Sequence, residues 1–158
     1  MPPNAFQTID RSGRPLLAFT LGLLAEVRNA DEMAFVLAHE ASHHIAGHLD
    51  RQDSNAAMGA AVFGRIASGM VDATPAAIRE AQEIGAVMGA RSYSKAFELE
   101  ADALGTVIAA RAGFDPVRGA AFFLRIPDPG NRVMGTHPAN AERIDTVRRA
   151  AAAVGLAG

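Results

Sequence analysis

Two short apolar runs, NAFQTI and PLLAFT, open the chain and are separated by the polar stretch DRSGR, which contains Gly13. Short runs joined by a five-residue loop with a glycine are typical of a β-hairpin. Pro15 opens the second run, and proline is tolerated in a strand mainly at an edge or at the first residue. The pattern therefore predicts an exposed edge strand over residues 16–20, namely Leu16, Leu17, Ala18, Phe19 and Thr20.

The stretch LGLLAEV predicts a short helix or turn, and a longer helix follows it. Asn29 stands three residues before Glu32, which is the spacing of a capping box and predicts a helix that begins at residue 30. Apolar residues then recur every three or four positions, as in a helix with one face on a core, at Met33, Val36, Leu37, Ala41 and Ile45. We expect this helix to reach about residue 49, where the polar stretch DRQDSN ends it.

The rest of the chain also favours helices. Thr74 and Pro75 read as the N-cap and first turn of one helix, and a second helix is expected over residues 94–112, stopped by Gly113. Asp115 precedes a helix over PVRGAAFFLRI, the loop PDPGNRVMGTHP follows, and a last helix covers NAERIDTVRRAAAAV. No internal repeat or linker divides the chain, so we expect one domain over residues 1–158. The predicted fold class is α+β, mostly helical, with a small N-terminal sheet.

The composition says little about the fold, but it excludes several kinds of partner and metal ligand. Hydrophobic residues make up 49% and charged residues 20%, an ordinary globular balance. A net charge of −2 and a single lysine, Lys95, argue against a nucleic-acid partner. Because the chain has no cysteine, it has neither disulfides nor thiolate metal ligands. Any metal must therefore be held by imidazole and carboxylate groups.

Nothing in the sequence predicts a membrane span. The N-terminal stretch carries Asp10 and Arg11 and lacks the apolar centre of a signal peptide. The most apolar stretch, AAMGAAVFGRIASGM at residues 56–70, is too short to cross a bilayer and is interrupted by Arg65, so we interpret it as a packed or mobile helix. A cytoplasmic location is favoured, or a periplasmic one for a processed or excised domain. Peripheral contact with a membrane surface is left open without a residue pattern to support it.

Four of the five histidines lie within ten residues of one another, and residues 39–43 read His-Glu-Ala-Ser-His, an HExxH motif. On a helix, positions i and i+4 lie about 40° apart round the axis and about 6 Å along it. The imidazoles of His39 and His43 can therefore converge on one ion. Glu40 lies about 100° round from His39, too far to bind that ion but near enough to take a proton from water on it. Random order would give this motif on the order of once in a hundred such chains.

His44 and His48 form a second pair at the same spacing, about 140° round from the first pair on a continuous helix. No glutamate follows the first member of this second pair. We interpret the two side chains as rim residues or hydrogen-bonded residues rather than as a second metal site. Gly47 is interpreted as a packing or bending point.

Two histidines leave a zinc ion short of the three protein ligands that catalytic sites use. The remaining candidates are His137 and the carboxylates of KAFELEADALG. Glu98 and Asp102 share one helix face, whereas Glu100 points about 200° away from Glu98. One of these carboxylates could bind the metal while another hydrogen-bonds a ligating imidazole. Solvent-exposed glutamates are the alternative for this segment.

These residues resemble a known family. The stretches NADEMAFVLAHEASHHIAGH, YSKAFELEADALG, RAGFDP and THPANAERI follow the motif order of the HtpX-type and CAAX-prenyl-protease-type zinc metallopeptidases. These enzymes are gluzincins, in which a glutamate is the third zinc ligand. The resemblance extends from Asn4 to about Arg149. It implies a zincin-like core built round the HExxH helix.

The resemblance also implies a role for each matching residue. His39, His43 and Glu98 would hold one zinc ion, and Glu40 would be the catalytic base. Asp102 would orient a ligating histidine. His137 lies on a family loop near the metal, where it would stabilise the transition state or occlude the ion, and Arg143 matches a position near the same site. Residues 16–20 would be the strand along which extended peptide binds.

The sequence thus predicts a zinc-dependent metalloendopeptidase with a polypeptide substrate. The alternative is a latent or non-catalytic zinc-binding module of the same fold that holds peptides or a partner protein. Many members of the resembling family are membrane-anchored, and this sequence contains no spanning helix, so the sequence assigns no membrane substrate. It predicts neither the natural substrate nor the oligomeric state.

Overall fold

The computed structural model describes residues 3–128, 130 and 137–155. Within these residues, two strands and seven helices follow one another, with a 3₁₀ turn before the last helix. The strands are β1 (Ala5–Ile9) and β2 (Pro15–Phe19). The helices are α1 (Leu21–Glu26), α2 (Ala30–Ile45), α3 (His48–Ser68), α4 (Pro75–Ser92), α5 (Ser94–Arg111), α6 (Pro116–Ala120) and α7 (Asn140–Ala153), and the 3₁₀ turn covers Ala121–Leu124. The mostly helical α+β fold class is confirmed.

The predicted hairpin is present. Strands β1 and β2 pair antiparallel, with Ala5 opposite Phe19 and Ile9 opposite Pro15. The Asp10 side chain accepts hydrogen bonds from the backbone of Ser12 and Arg14, and Gly13 adopts a φ of +81°, which favours glycine. The second strand ends one residue earlier than expected because Thr20 caps helix α1 with its side-chain oxygen.

Helix α2 begins as predicted but ends earlier. Asn29 Oδ1 accepts the backbone N–H of Glu32 at 3.0 Å, as the N-cap should. The expected extension to residue 49 is wrong, because Gly47 adopts a φ of +63° and breaks the helix. The prediction that DRQDSN ends a helix is wrong for the same reason. These residues lie inside α3, which starts at His48 after the break.

Helices α3 and α4 form an antiparallel pair at unusually short range. A Cβ atom on Gly85 would lie 2.3 Å from the carbonyl oxygen of Gly59, and one on Gly89 would lie 2.1 Å from that of Asn55. Only glycine permits this approach of two helix backbones. The Ala/Gly stretch at residues 56–70 is therefore a packed helix, as one of its two interpretations proposed. No helix in the described ranges combines the length and apolar character needed to cross a bilayer.

The C-terminal half forms the other side of the core. Thr74 caps α4 and Asp115 caps α6, as predicted, but the helix expected over PVRGAAFFLRI passes into a 3₁₀ turn after Ala120. Of the loop PDPGNRVMGTHP, residues 129 and 131–136 lie outside the described residues. The apolar core packs α2 against α6, the 3₁₀ turn and α7. Its buried members are Leu23, Phe35, Val36, Ala120, Phe122, Phe123 and Val147.

Candidate metal centre

Helix α2 presents the HExxH residues on a buried face. His39 is 7% exposed and Glu40 is 9% exposed. The rings of His39 and His43 lie edge to face, with centroids 4.8 Å apart, and their Nε2 atoms are 3.2 Å apart. The two imidazoles therefore point their Nε2 atoms at the same small volume, as the i, i+4 spacing predicts.

Helix α5 supplies the third group. Glu98 Oε2 lies 3.6 Å from His39 Nε2, and Glu98 Oε1 lies 3.4 Å from His43 Nε2. The close approach of α5 to α2 depends on Gly105, where a Cβ would lie only 3.0 Å from the backbone nitrogen of His39. Among the described residues, His39, His43 and Glu98 form the group whose ligand atoms all lie within 4.8 Å of one another.

This donor set fits a zinc ion. Two imidazole nitrogens and one carboxylate are the ligands of a known class of catalytic zinc site, which leaves one position open. His39 Nδ1 lies 2.9 Å from Asp102 Oδ1, so the Nδ1 proton is donated to that carboxylate and the Nε2 lone pair faces Glu98. The Nε2 lone pair of His39 and the Glu98 carboxylate face each other at 3.6 Å, an arrangement that suits a cation bound between them.

Asp102 connects the candidate ligands to helix α7. Its side chain is fully buried and accepts two hydrogen bonds from Arg143, from Nε at 2.8 Å and from Nη2 at 2.7 Å. The Arg143 guanidinium also lies 3.8 Å above the ring of Phe123. Asp102 thus lies directly against His39, one of the three candidate ligands. Arg143 lies behind that pair, with its Nη2 3.6 Å from Glu98 Oε2.

A cavity of about 650 Å³ opens beside these residues. Residues 3–7, which include most of strand β1, line one wall, and none of Leu16, Leu17, Ala18, Phe19 and Thr20 lines it. The structure therefore brings the hairpin to the site through its first strand, not through the strand that the sequence indicated. Apolar side chains form much of the lining, among them Phe6, Leu23, Phe35, Val36, Phe122, Phe123 and Ile126.

Comparison with known proteins assigns the family. Residues 2–151 match Peptidase family M48. The chain belongs to Peptidase family M48. A protein of Vibrio cholerae serotype O1 that is named as a beta-barrel assembly-enhancing protease is 30% identical over 147 residues, covering 85% of this chain and 30% of that relative. The chain thus spans less than a third of the length of the curated relative, and no solved structure matches it significantly.

Membership of family M48 confirms the resemblance drawn from the motifs, and it supports a protease of the metallopeptidase class. The His39, His43 and Glu98 cluster could hold the metal of such an enzyme.

The electrostatics separate the two glutamates of the M48 site. Burial alone would raise the pKa of Glu98, but the hydrogen bond from His137 and the electrostatic interactions with His39 and Arg143 lower it to about 2. Burial raises the pKa of Glu40 above its usual value, and the neighbouring Glu98 carboxylate adds to the rise while His39 opposes it. Burial, followed by the electrostatic interaction with His39, lowers the pKa of His43 to about 4. Glu98 is therefore an anion, whereas Glu40 holds a proton more readily than an ordinary glutamate.

His137 reaches the site from the segment before α7. Its Nδ1 lies 3.1 Å from Glu98 Oε2, and its side chain is 56% exposed. The Glu98 carboxylate raises the pKa of His137. The half-exposed imidazole thus lies within hydrogen-bonding distance of the candidate ligand Glu98.

His44 and His48, the second pair at i, i+4 spacing, do not contact each other as neighbours on one helix face. His44 Nε2 lies 3.4 Å from the backbone oxygen of Leu16, on the side of α2 that faces the hairpin. His48 lies on α3, beyond the break at Gly47, and its Nδ1 is 2.8 Å from His43 Nδ1. The sequence reasoning missed this contact because it assumed one continuous helix. Gly47 was the signal that could have indicated it.

Proposed function

We propose that this chain is a zinc-dependent metalloendopeptidase. The observation that carries the proposal is the convergence of His39, His43 and Glu98 beside Glu40 in a member of Peptidase family M48. His39, His43 and Glu98, which all line the cavity, would hold one zinc ion. When bound, the ion supplies a Lewis acid, which lets water act as a nucleophile at neutral pH.

The protein's own contribution to the chemistry is proton transfer and positioning. The Glu40 carboxylate takes a proton from the attacking water and passes it to the nitrogen of the leaving amine. Its raised pKa suits a group that must accept and then release a proton near neutral pH. Asp102 and Arg143 hold the ring of His39 in place. His137, which is exposed at the open side of the centre, donates a hydrogen bond to the carbonyl oxygen as it gains negative charge.

The substrate would be an extended polypeptide bound along β1. Within the described ranges β1 pairs with β2 alone, so its other edge has no strand partner. Gln7 Oε1, at the cavity wall, is one of two buried side-chain atoms in those ranges without a hydrogen-bond partner. An unpaired strand edge offers main-chain N–H and C=O groups to an extended peptide. We therefore transfer the peptide-binding role from residues 16–20 to β1.

The test combines metal content with cleavage of unfolded casein. Glu40→Gln should keep about one zinc per chain and lower cleavage by at least about 100-fold, because the base is lost and the ligands are not. Chelation should abolish cleavage by the wild type, and added zinc should restore it. Glu83→Gln, at an exposed position on α4, is the control and should behave as wild type. Casein cleavage that survives in Glu40→Gln would remove Glu40 from the mechanism.

The second candidate is a latent zinc module in which His137 fills the open position. The 3.1 Å distance from His137 Nδ1 to Glu98 Oε2 favours it, because the ring already lies at the centre. The same casein assay separates the two candidates. His137→Ala lowers cleavage if His137 stabilises the transition state, and it raises cleavage above wild type if the ring blocks the site.

A further inference from the structure

A line of polar contacts runs outward from the ligand candidate His43, away from the cavity. His43 Nδ1 lies 2.8 Å from His48 Nδ1, and His48 Nε2 lies 3.3 Å from Glu100 Oε2. Arg51 Nη1 donates to the same Glu100 oxygen at 2.9 Å. The line therefore joins α2, the first turn of α3 and α5, and it ends at a charged pair on the surface.

Donor and acceptor rules fix the direction of these hydrogen bonds. A carboxylate paired with arginine only accepts hydrogen bonds, so His48 Nε2 carries a proton and donates it to Glu100. A neutral imidazole with a proton on Nε2 has a lone pair on Nδ1. The short contact between the two Nδ1 atoms then requires that His43 Nδ1 donates to His48 Nδ1. The Nε2 atom of His43 is left with its lone pair directed at His39 and Glu98.

The fold holds His48 in this position. Its side chain is 3% exposed, and its ring stacks on Phe97 at 4.6 Å with the planes 12° apart. The Arg51 guanidinium also lies against Phe97, 4.4 Å from the ring centre. On an unbroken helix, His48 would lie about 140° round from His43, and the two rings would not meet. Because Gly47 adopts a left-handed conformation, α2 ends and a new helix starts at His48, and this change of direction lets the two rings meet.

We propose that His48, supported by Glu100, is a positioning residue that keeps the proton of His43 on Nδ1 and so presents Nε2 to the metal. This inference rests on the proposed metal centre and deepens it. Asp102 acts on His39 in the corresponding way, so each ligating imidazole is oriented by its own partner. Groups that orient a ligating histidine in this way typically change metal affinity by about 10–100-fold when they are removed.

Zinc affinity tests the proposal without reference to hydrolysis. Competition with a chromophoric chelator would measure binding of Zn²⁺ alone to the full chain and to three variants. His48→Phe keeps an aromatic ring against Phe97 but has no acceptor, and it should bind zinc about 10–100-fold more weakly. His48→Asn places an amide oxygen near the former Nδ1 position and should recover most of the affinity. His44→Phe, which removes a histidine that faces Leu16, should stay within about twofold of wild type.

The tautomer of His43 is the second readout, and a merely structural role would not change it. Long-range ¹H–¹⁵N spectra of the metal-free chain should show His43 protonated on Nδ1, with the assignment made by loss of its signals in His43→Asn. His48→Phe should abolish this preference and His48→Asn should keep it. Glu100→Gln changes a residue whose side chain is 47% exposed, so the fold is preserved, and it should weaken the preference.

The two readouts keep this proposal separate from the proposed function. A chain that binds zinc but cleaves nothing contradicts the peptidase proposal and leaves the affinity comparison valid. A wild type that binds no zinc contradicts the metal centre, whereas the tautomer of metal-free His43 still tests the role of His48. Wild-type zinc affinity in His48→Phe, together with an unchanged His43 tautomer in both His48→Phe and Glu100→Gln, would overturn the positioning role.

Discussion

Glu32 is only 2% exposed, yet three hydrogen bonds keep its carboxylate charged. The backbone N–H of Arg28 donates to Oε2 at 2.8 Å, and Arg125 donates from Nη1 to Oε1 and from Nη2 to Oε2. Asp31 beside it is 4% exposed and pairs with Arg118 and with the backbone N–H of Asp115. These two carboxylates tie the start of helix α2 to α6 and to the residue that follows the 3₁₀ turn, so they help to fix the position of the helix that carries His39 and His43.

The Arg125 hydrogen bond, opposed by burial, lowers the pKa of Glu32 below its usual 4.5. A carboxylate with a lowered folded-state pKa stabilises the fold above its unfolded-state pKa, and this contribution is lost as the pH falls through the folded value. Glu32→Gln should therefore cost about 1–3 kcal/mol at pH 7, and the difference from wild type should shrink towards pH 3. Urea denaturation at several pH values measures it. Glu83→Gln is the exposed control, and a pH-independent difference for Glu32→Gln would contradict the argument.

Sequence reasoning identified candidate site residues where they are close together in the chain. His39, Glu40 and His43 follow from helix geometry alone, because the HExxH spacing fixes which side chains share a face. Spacing left Glu98 open against other carboxylates, and only the family resemblance singled it out. His48 was missed as a partner of His43, because their contact depends on a backbone break and not on periodicity.

At the scale of elements, capping residues were the reliable signals and glycines the unreliable ones. Asn29, Thr74 and Asp115 each begin a helix where the sequence predicts one, because a side-chain oxygen satisfies free N–H groups locally. A glycine can stop a helix, break it or lie inside it, and the sequence alone does not distinguish these uses. Gly47 breaks a predicted helix, whereas Gly59 and Gly85 lie within the helices of the α3–α4 pair.

Gly85→Ala tests whether backbone contact holds the α3–α4 pair together. The added Cβ would lie 2.3 Å from Gly59 O and 2.7 Å from Phe63 Cβ, so the two helices must separate. We expect a loss of about 1–3 kcal/mol in the free energy of unfolding, even though alanine favours a helix over glycine by about 1 kcal/mol. Gly64→Ala is the matched control, because its Cβ would meet the exposed side chain of Gln82, which can rotate away. Chemical denaturation measures the free energy of unfolding of both variants. Equal stability of Gly85→Ala and Gly64→Ala would contradict a role for backbone contact at Gly85.

At the scale of the whole molecule, the candidate centre joins parts of the chain that are distant in sequence. His39 and His43 belong to α2, Glu98 belongs to α5, and Asp102 ties α5 to Arg143 on α7. The sequence indicated the helices but not how they pack. Gly105 lets α5 approach the backbone of His39 because it has no Cβ, and this contact is visible only in the folded structure. A metal ion shared by α2 and α5 would therefore act as a cross-link between two helices that are distant in sequence.

Metal binding should for that reason stabilise the whole fold. At a free zinc concentration about 100 times the dissociation constant, binding adds about 2.7 kcal/mol to the free energy of unfolding. For a chain of this size that corresponds to a rise in Tm of about 5–10 °C. Scanning calorimetry with zinc and with chelator measures the shift in the wild type and in Glu98→Gln, whose own metal-free Tm serves as its baseline. Because Glu98 is the only candidate ligand from α5, a full zinc-induced shift in Glu98→Gln would mean that the ion is held by α2 alone and does not join the two helices.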